Sequence, residues 1–253
     1  MSERDHIASL QKGLQVLTCF GRQHTRLTVS EVARLTGTTP ASARRALLTL
    51  HALGYLDSDG KLFWMQPRSL LIAHAFLASR PMPSIAQPLL DSLSDRTRES
   101  ASLGQLLDDD VIIIGRSTAQ RSLSIGLGIG SRLPAYCSAI GRVLLASLPA
   151  QEAERRLHAM PRHALTPQTV VQIPQLLDIL SHCRAAGWAG SDGELEIGVR
   201  SMAVPVRDRA GTVTAAMSIA VRAERLGMQE FRDTFLAPLL RARKTLEDRL
   251  PPR

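Results

Sequence analysis

Between Leu27 and Leu53 the chain starts a helix, stops it and starts another almost at once, and few folds accommodate that rhythm. Thr28 and Glu31 have capping-box spacing, in which hydroxyl and carboxylate satisfy each other's free backbone N–H groups at a helix start. Val32, Ala33 and Leu35 are the apolar positions of that helix, and Gly37 stands where a left-handed residue commonly ends one. Thr39 is then a good N-cap, and Pro40 fits a first helical position, where its missing N–H is no loss. Ala43, Leu47 and Leu50 fall on one face of the second helix, widened by Ala46 and Leu53, which leaves Ser42, Arg44, Arg45 and Thr49 on the other. Upstream, Ser9–Phe20 reads as an amphipathic helix through Leu10, Leu14 and Leu17. Downstream, Asp59-Gly60 lies between short apolar runs, which is a hairpin signal. Helix, tight turn, recognition-type helix and hairpin, in this order, predict a winged helix-turn-helix over residues 1–66.

That prediction assigns double-stranded DNA as a partner. Thr39, Ser42, Arg44 and Arg45 are expected to face the major groove, with Thr28, Thr49 and Lys61 also at the DNA. An Arg there can bond a guanine edge or hold a phosphate. The competing view is a helical mini-domain that binds a protein, with Arg44 and Arg45 as a solvated face. Charge favours DNA. Residues 1–80 hold 10 Lys+Arg against 5 Asp+Glu, whereas residues 81–253 hold 21 against 18, so most of the net charge of +8 sits on the first third.

Pro67–Ser79 reads as a further helix, apolar on more than one side. Pro81-Met82-Pro83 is read as a break, because two prolines around one residue do not continue a helix. Residues 67–83 are thus a linker helix and hinge, and 84–253 a second domain. Helices are expected over Ile85–Arg96, Ala139–Ser147, Ala150–Met160, Pro174–Ala186 and Met228–Leu250, and strands over Ala101–Leu107, Val111–Arg116, Arg121–Leu127, Ser201–Arg207 and Thr212–Val221. Strands in two blocks with helices between predict the α+β class, with an antiparallel sheet and no Rossmann alternation.

Several chemistries find no support. Gly126–Gly130 is neither a P-loop nor a GxGxxG opening a helix, and reads as a loop. Asp192, Glu194 and Glu196 form an acidic cluster without a nearby His, and neither HExxH nor GxSxG occurs, so no catalytic residues are assigned and no enzyme is expected. A pure DNA-architecture protein would not need a second domain of this size. Cys19, Cys137 and Cys183 form no CxxC pair and read as buried small hydrophobes; no metal site and no cofactor are expected. No apolar run is long enough to span a membrane, and MSERDHIASL lacks an apolar leader core, so a cytoplasmic location is expected.

The chain resembles the IclR-type transcriptional regulators. LQKGLQVL (10–17), LTVSEVARLTG (27–37), RRALLTLHALGYL (44–56), GSRLPAYCSAIGRVLLASLP (130–149), LTPQTV (165–170) and GVRSMAVPVRDRAGTVTAAMSI (198–219) carry the resemblance in order and spacing. GSRLPAYC, GRVLLA and RSMAVPVRD are similar to the Pca/Pob branch, which governs breakdown of protocatechuate, 4-hydroxybenzoate and related acids. Ile140 replaces the Met of that branch, and Trp64 interrupts the usual polar end of the wing. The resemblance implies a second domain related to GAF sensors, a homodimer that can pair into a tetramer, and a small organic acid as effector. It places Ala139, Ile140, Gly141, Asp192, Ser201 and Ser218 around the pocket. The N–H groups over Ser138–Gly141 open a helix and can receive a carboxylate. Asp192 would then lie at the far end and accept a ligand hydroxyl. Each of these side chains could equally be a satisfied structural group.

Overall fold

The computed structural model describes residues 6–118 and 127–251. The chain divides into two compact units between Phe76 and Leu77, inside the segment read as the linker.

In the first unit, α1 (Ala8–Thr18), α2 (Val29–Thr36) and α3 (Pro40–Ala52) surround a three-stranded antiparallel sheet. Its strands are β1 (Leu27–Thr28), β2 (Leu56–Ser58) and β3 (Leu62–Met65), in the order β1-β3-β2. The local signals act as expected. The Thr28 hydroxyl accepts the Glu31 N–H, and the Glu31 carboxylate accepts the Thr28 N–H at 2.8 Å. Gly37 ends α2 in the left-handed region (φ 64°), and Thr39 caps α3 by accepting the Ser42 N–H. At the β2–β3 turn, Asp59 Oδ1 accepts the N–H groups of Lys61 and Leu62, which fixes the wing tip. Val16, Leu27, Val32, Leu47, Leu50, Leu56 and Phe63 form one core.

A 3-10 turn (Pro67–Ser69) leads into α4 (Leu70–Ser79). The expected break at Pro81-Met82-Pro83 is corrected: α5 runs from Pro81 to Thr97. Both prolines occupy its first turn, where no intrahelical N–H is needed. The interruption falls one residue earlier, at extended Arg80.

The second unit is built on a six-stranded antiparallel sheet: β4 (Ser100–Leu107), β5 (Asp110–Ser117), β6 (Arg132–Pro134), β7 (Ala189–Asp192), β8 (Val199–Arg207) and β9 (Val213–Arg222), in the order β6-β5-β4-β9-β8-β7. β6 and β7 lie where no strand was expected. The expected strand Arg121–Leu127 falls almost wholly outside the described residues. Alternation along the strands gives two faces. Leu103, Met202, Val204, Met217 and Ile219 pack under α5 and α9 (Met228–Arg249). Val111, Ile113, Ala203 and Ala216 pack under α6 (Ala139–Ala146), which is backed by α7 (Ala150–Ala159) and α8 (Ile173–Ala186).

Candidate DNA-binding and effector sites

Helix α3 buries Ala43, Leu47 and Leu50, and this turns Arg44, Arg45 and Thr49 outward. Among the described residues, Arg44, Arg45 and Lys61 face no acidic partner, so their charge is available to an anion. The hydroxyls are more committed. Thr39 and Thr28 cap helices, Thr49 Oγ1 donates to the Arg45 carbonyl at 2.8 Å, and Ser42 is half-buried. Thr28 pairs with Leu62 across β1 and β3, and Lys61 stands in the turn just before β3, so these two sit at the wing and not on α3. One cation was missed. The Arg26 guanidinium lies 4.4 Å from the Trp64 ring centroid. The departure at Trp64 therefore keeps a positive charge beside the wing, through a cation–π contact.

In the second unit the sheet face under the start of α6 is made of small residues. Ser100, Ala220, Ser201 and Ser191 form one row across β4, β9, β8 and β7. Ser102, Ser218, Ala203 and Ala189 form the next. Nothing in either row exceeds a serine, so the sheet gives up volume here while offering hydroxyls. Ser191 Oγ donates to the Cys137 carbonyl at 2.8 Å and ties β7 to the turn before α6. Gly141 lets that turn come close, since a Cβ there would lie 2.3 Å from Ala135 backbone atoms. Ser201 and Ser218 make no side-chain hydrogen bond among the described residues. On β5, Arg116 pairs with Ser102 and donates to its hydroxyl at 2.8 Å. Burial lowers the Arg116 pKa from the usual guanidinium value. The group stays charged, because that value starts far above neutral pH.

Ala139, Ile140, Gly141, Ser201 and Ser218 are thus brought to one face. The Gly141 N–H, expected to face a ligand, is instead taken by the Ser138 hydroxyl at 3.1 Å, and the next N–H, of Arg142, by the Ser138 carbonyl. Asp192 requires a correction. It pairs with Arg200 in register, both side chains emerge on the α9 face, and they form an ion pair at 2.7 Å. Asp192 therefore does not meet α6, Ser201 or Ser218. Ser191 holds the inward position. Nor do the three acids cluster. Glu196 is exposed, while Glu194 is buried in a bidentate pair with Arg142, at 2.6 and 2.7 Å. Arg142 also donates to the carbonyls of Tyr136 and Gly190, and Glu194 accepts the Val170 N–H, so this pair joins α6, β7 and the segment before α8. Ser102, Arg116 and Ser191 escaped sequence reading. Alternation of Ser100, Ser102 and Gly104 along a strand was the available signal.

Burial raises the thiol pKa of Cys137 and of Cys183 to about 11, so neither is a nucleophile at neutral pH. No group of metal-ligating side chains occurs among the described residues, and no described helix is long and apolar enough to cross a membrane.

A winged helix with an uncompensated basic face, on the same chain as an α+β domain with a small-residue, hydroxyl-lined face, defines a ligand-responsive DNA-binding regulator. Comparison with known proteins names the family. Residues 9–60 match the IclR helix-turn-helix domain, and residues 74–247 match the bacterial transcriptional regulator IclR C-terminal domain. The Pca regulon regulatory protein of Pseudomonas putida is 38% identical over 243 residues, covering 96% of this chain and 84% of that protein. Among solved structures, a protein of Rhodococcus sp. RHA1 described as a transcriptional regulator superposes with a TM-score of 0.81 at 37% identity, over 96% of this chain and 98% of the other. The inducer-binding domain of an Acinetobacter PobR transcription factor, a double mutant in complex with 3-hydroxybenzoic acid, superposes with a TM-score of 0.61 at 28% identity, over 65% of this chain and 97% of the other. The chain belongs to the IclR family, in the branch of the Pca and Pob regulators. It is a transcriptional regulator with an effector-binding C-terminal domain.

Proposed function

We propose that this regulator controls breakdown of an aromatic acid and that its effector is a hydroxylated aromatic acid such as 4-hydroxybenzoate or protocatechuate, bound on the small-residue face between β4, β9, β8 and the start of α6. The observation that carries this is the meeting, on one sheet face, of a desolvated guanidinium at Arg116 with the unengaged hydroxyls of Ser201 and Ser218. A guanidinium can hold a carboxylate with two N–H donors. Small side chains leave room for a ring, and hydroxyls can bond a ring substituent. Ala139 and Ile140 close the apolar side. The relatives' assignments support the aromatic class. Asp192 has no part in this site. The effector acts on DNA binding only if it prefers one arrangement of the regulator over another.

Calorimetry on the full chain tests this with 4-hydroxybenzoate, protocatechuate, 3-oxoadipate and acetate. Hydroxylated aromatic acids should bind most tightly. Arg116→Gln should weaken them by about 1.5–3 kcal/mol, the range for a hydrogen bond to a charged group, and Ser218→Ala by about 0.5–1.5 kcal/mol. Binding of 3-oxoadipate or acetate alone would move the reading to a non-aromatic effector. Failure of all four at millimolar concentration would defeat it.

A further inference from the structure

The face just described uses only the N-terminal end of α6. At the other end of the same helix lies a separate cavity of about 650 Å³, between the last turns of α6 and α8 and the β8–β9 hairpin. Leu106, Val143, Leu148 and Val213 line its apolar part, and Arg184 and Arg207 its polar part. We infer that this cavity is a second small-molecule site, which takes an organic anion with an apolar body.

Size and charge together carry the inference. The volume falls within the roughly 300–1,000 Å³ usual for small-ligand pockets. Among the described residues no carboxylate lines the cavity, whereas two guanidinium groups do. Each has N–H groups to spare. Arg184 spends its Nε–H on the Ala146 carbonyl at 2.8 Å, and Arg207 one N–H on the Gly211 carbonyl at 3.0 Å. Two acids on neighbouring segments are already engaged, Glu247 also with the Arg243 guanidinium at 3.8 Å. Asp208 accepts the N–H groups of Ala210 and Thr212, and Glu247 accepts the Arg207 N–H. The C-terminal ends of α6 and α8 oppose an anion, but each amounts to roughly half a negative charge. Arg184 already sits on the α6 end, so two full positive charges prevail. A mixed lining of this kind fits a monocarboxylate whose chain or ring lies against the leucines and whose head meets the arginines. Because α6 is common to both sites, occupancy of one is placed to alter affinity at the other.

Fluorine NMR on the full chain with 4-fluorobenzoate as probe tests this without presupposing the natural ligand. The wild type should show a bound resonance that survives Arg116→Gln and Ser218→Ala. Arg184→Gln combined with Arg207→Gln should weaken it at least tenfold. Thr212→Trp, a change at an exposed turn residue that lines the cavity, should abolish it while leaving the thermal midpoint within a degree or two. A resonance lost with Arg116→Gln alone, or no bound resonance at all, overturns the second site. A resonance sensitive only to Arg184, Arg207 and Thr212 upholds it even if the face at Arg116 takes no aromatic acid.

Discussion

Arg142 and Glu194 have side chains only 3% and 9% exposed, and every polar group between them is used. A buried pair so fully bonded is costly to break from one side, because the remaining charge is left uncompensated; the expected loss is about 3–5 kcal/mol. Glu194→Ala should therefore lower the thermal midpoint of the C-terminal unit by many degrees, whereas Asp192→Ala, which removes a carboxylate 46% exposed and leaves Arg200 bonded to the Leu226 carbonyl, should lower it by clearly less. Equal effects in differential scanning calorimetry would contradict this assignment. Thr214 offers the opposite case. It is the extra residue of a bulge, between Val213, which pairs with Arg207, and Ala215, which pairs with Val206. Its buried hydroxyl has no partner among the described residues. Thr214→Val keeps the shape and removes that burden, so it should stabilise by up to about 1 kcal/mol; a lowered midpoint would show that the hydroxyl is satisfied in solution. At this scale the sequence was hardest to read. Asp192 is the acid that attracts notice, yet strand alternation turns it away and presents Ser191 to α6. Only the register of β7 with β8 decides between them, and Ala-Gly-Ser-Asp carries no hydrophobic alternation that would reveal a strand.

Elements with strong local signals were legible. The capping box of α2, the Thr39-Pro40 start of α3 and the Asp59 turn are each made by contacts within a few residues, so the sequence contains all that forms them. The helix expected over Ile85–Arg96 lies within α5, but its start was set too late because a proline pair has two meanings: it ends a preceding helix and also suits the first turn of the next. β6 was missed because its three residues are held by pairing with β5, not by their own pattern. The best-determined element also gives the clearest test of DNA binding. The buried face of α3 fixes Arg45 outward, so Arg45→Ala should leave stability unchanged. It should weaken binding to duplexes selected by the wild type from a random pool by about 1–3 kcal/mol if Arg45 reads a base. Lys61→Ala, at the wing, should instead weaken all duplexes alike and reduce the salt slope by about one. Undiminished affinity of Arg45→Ala in gel-shift titrations at fixed salt would remove α3 from the interface.

At the scale of the whole molecule, the outstanding feature is α4. Leu70, Leu71 and Ile72 are 68%, 63% and 53% exposed, and no residue of the helix is buried. An exposed leucine is ordinary in isolation, but consecutive apolar residues facing several sides of one helix mark an interaction surface. A second copy of the chain is the occupant we expect. One winged helix reads only a few base pairs, and useful specificity needs two heads at a fixed spacing of about one helical turn of DNA or a multiple of it. Packing α4 against its counterpart would cover the exposed residues. It would also give two effector domains a shared element through which ligand binding could change the spacing of the heads. The full chain at micromolar concentration should then scatter light as at least twice the 27.6 kDa of one copy. Leu71→Glu should return it to a single copy, because pairing would bury two like charges. The mutant should keep its effector affinity, since the proposed ligand face is built from residues of one chain, but bind its operator at least a hundredfold more weakly. A single-copy mass for the wild type, or an unchanged mass in Leu71→Glu, would place the dimer contact elsewhere or remove it.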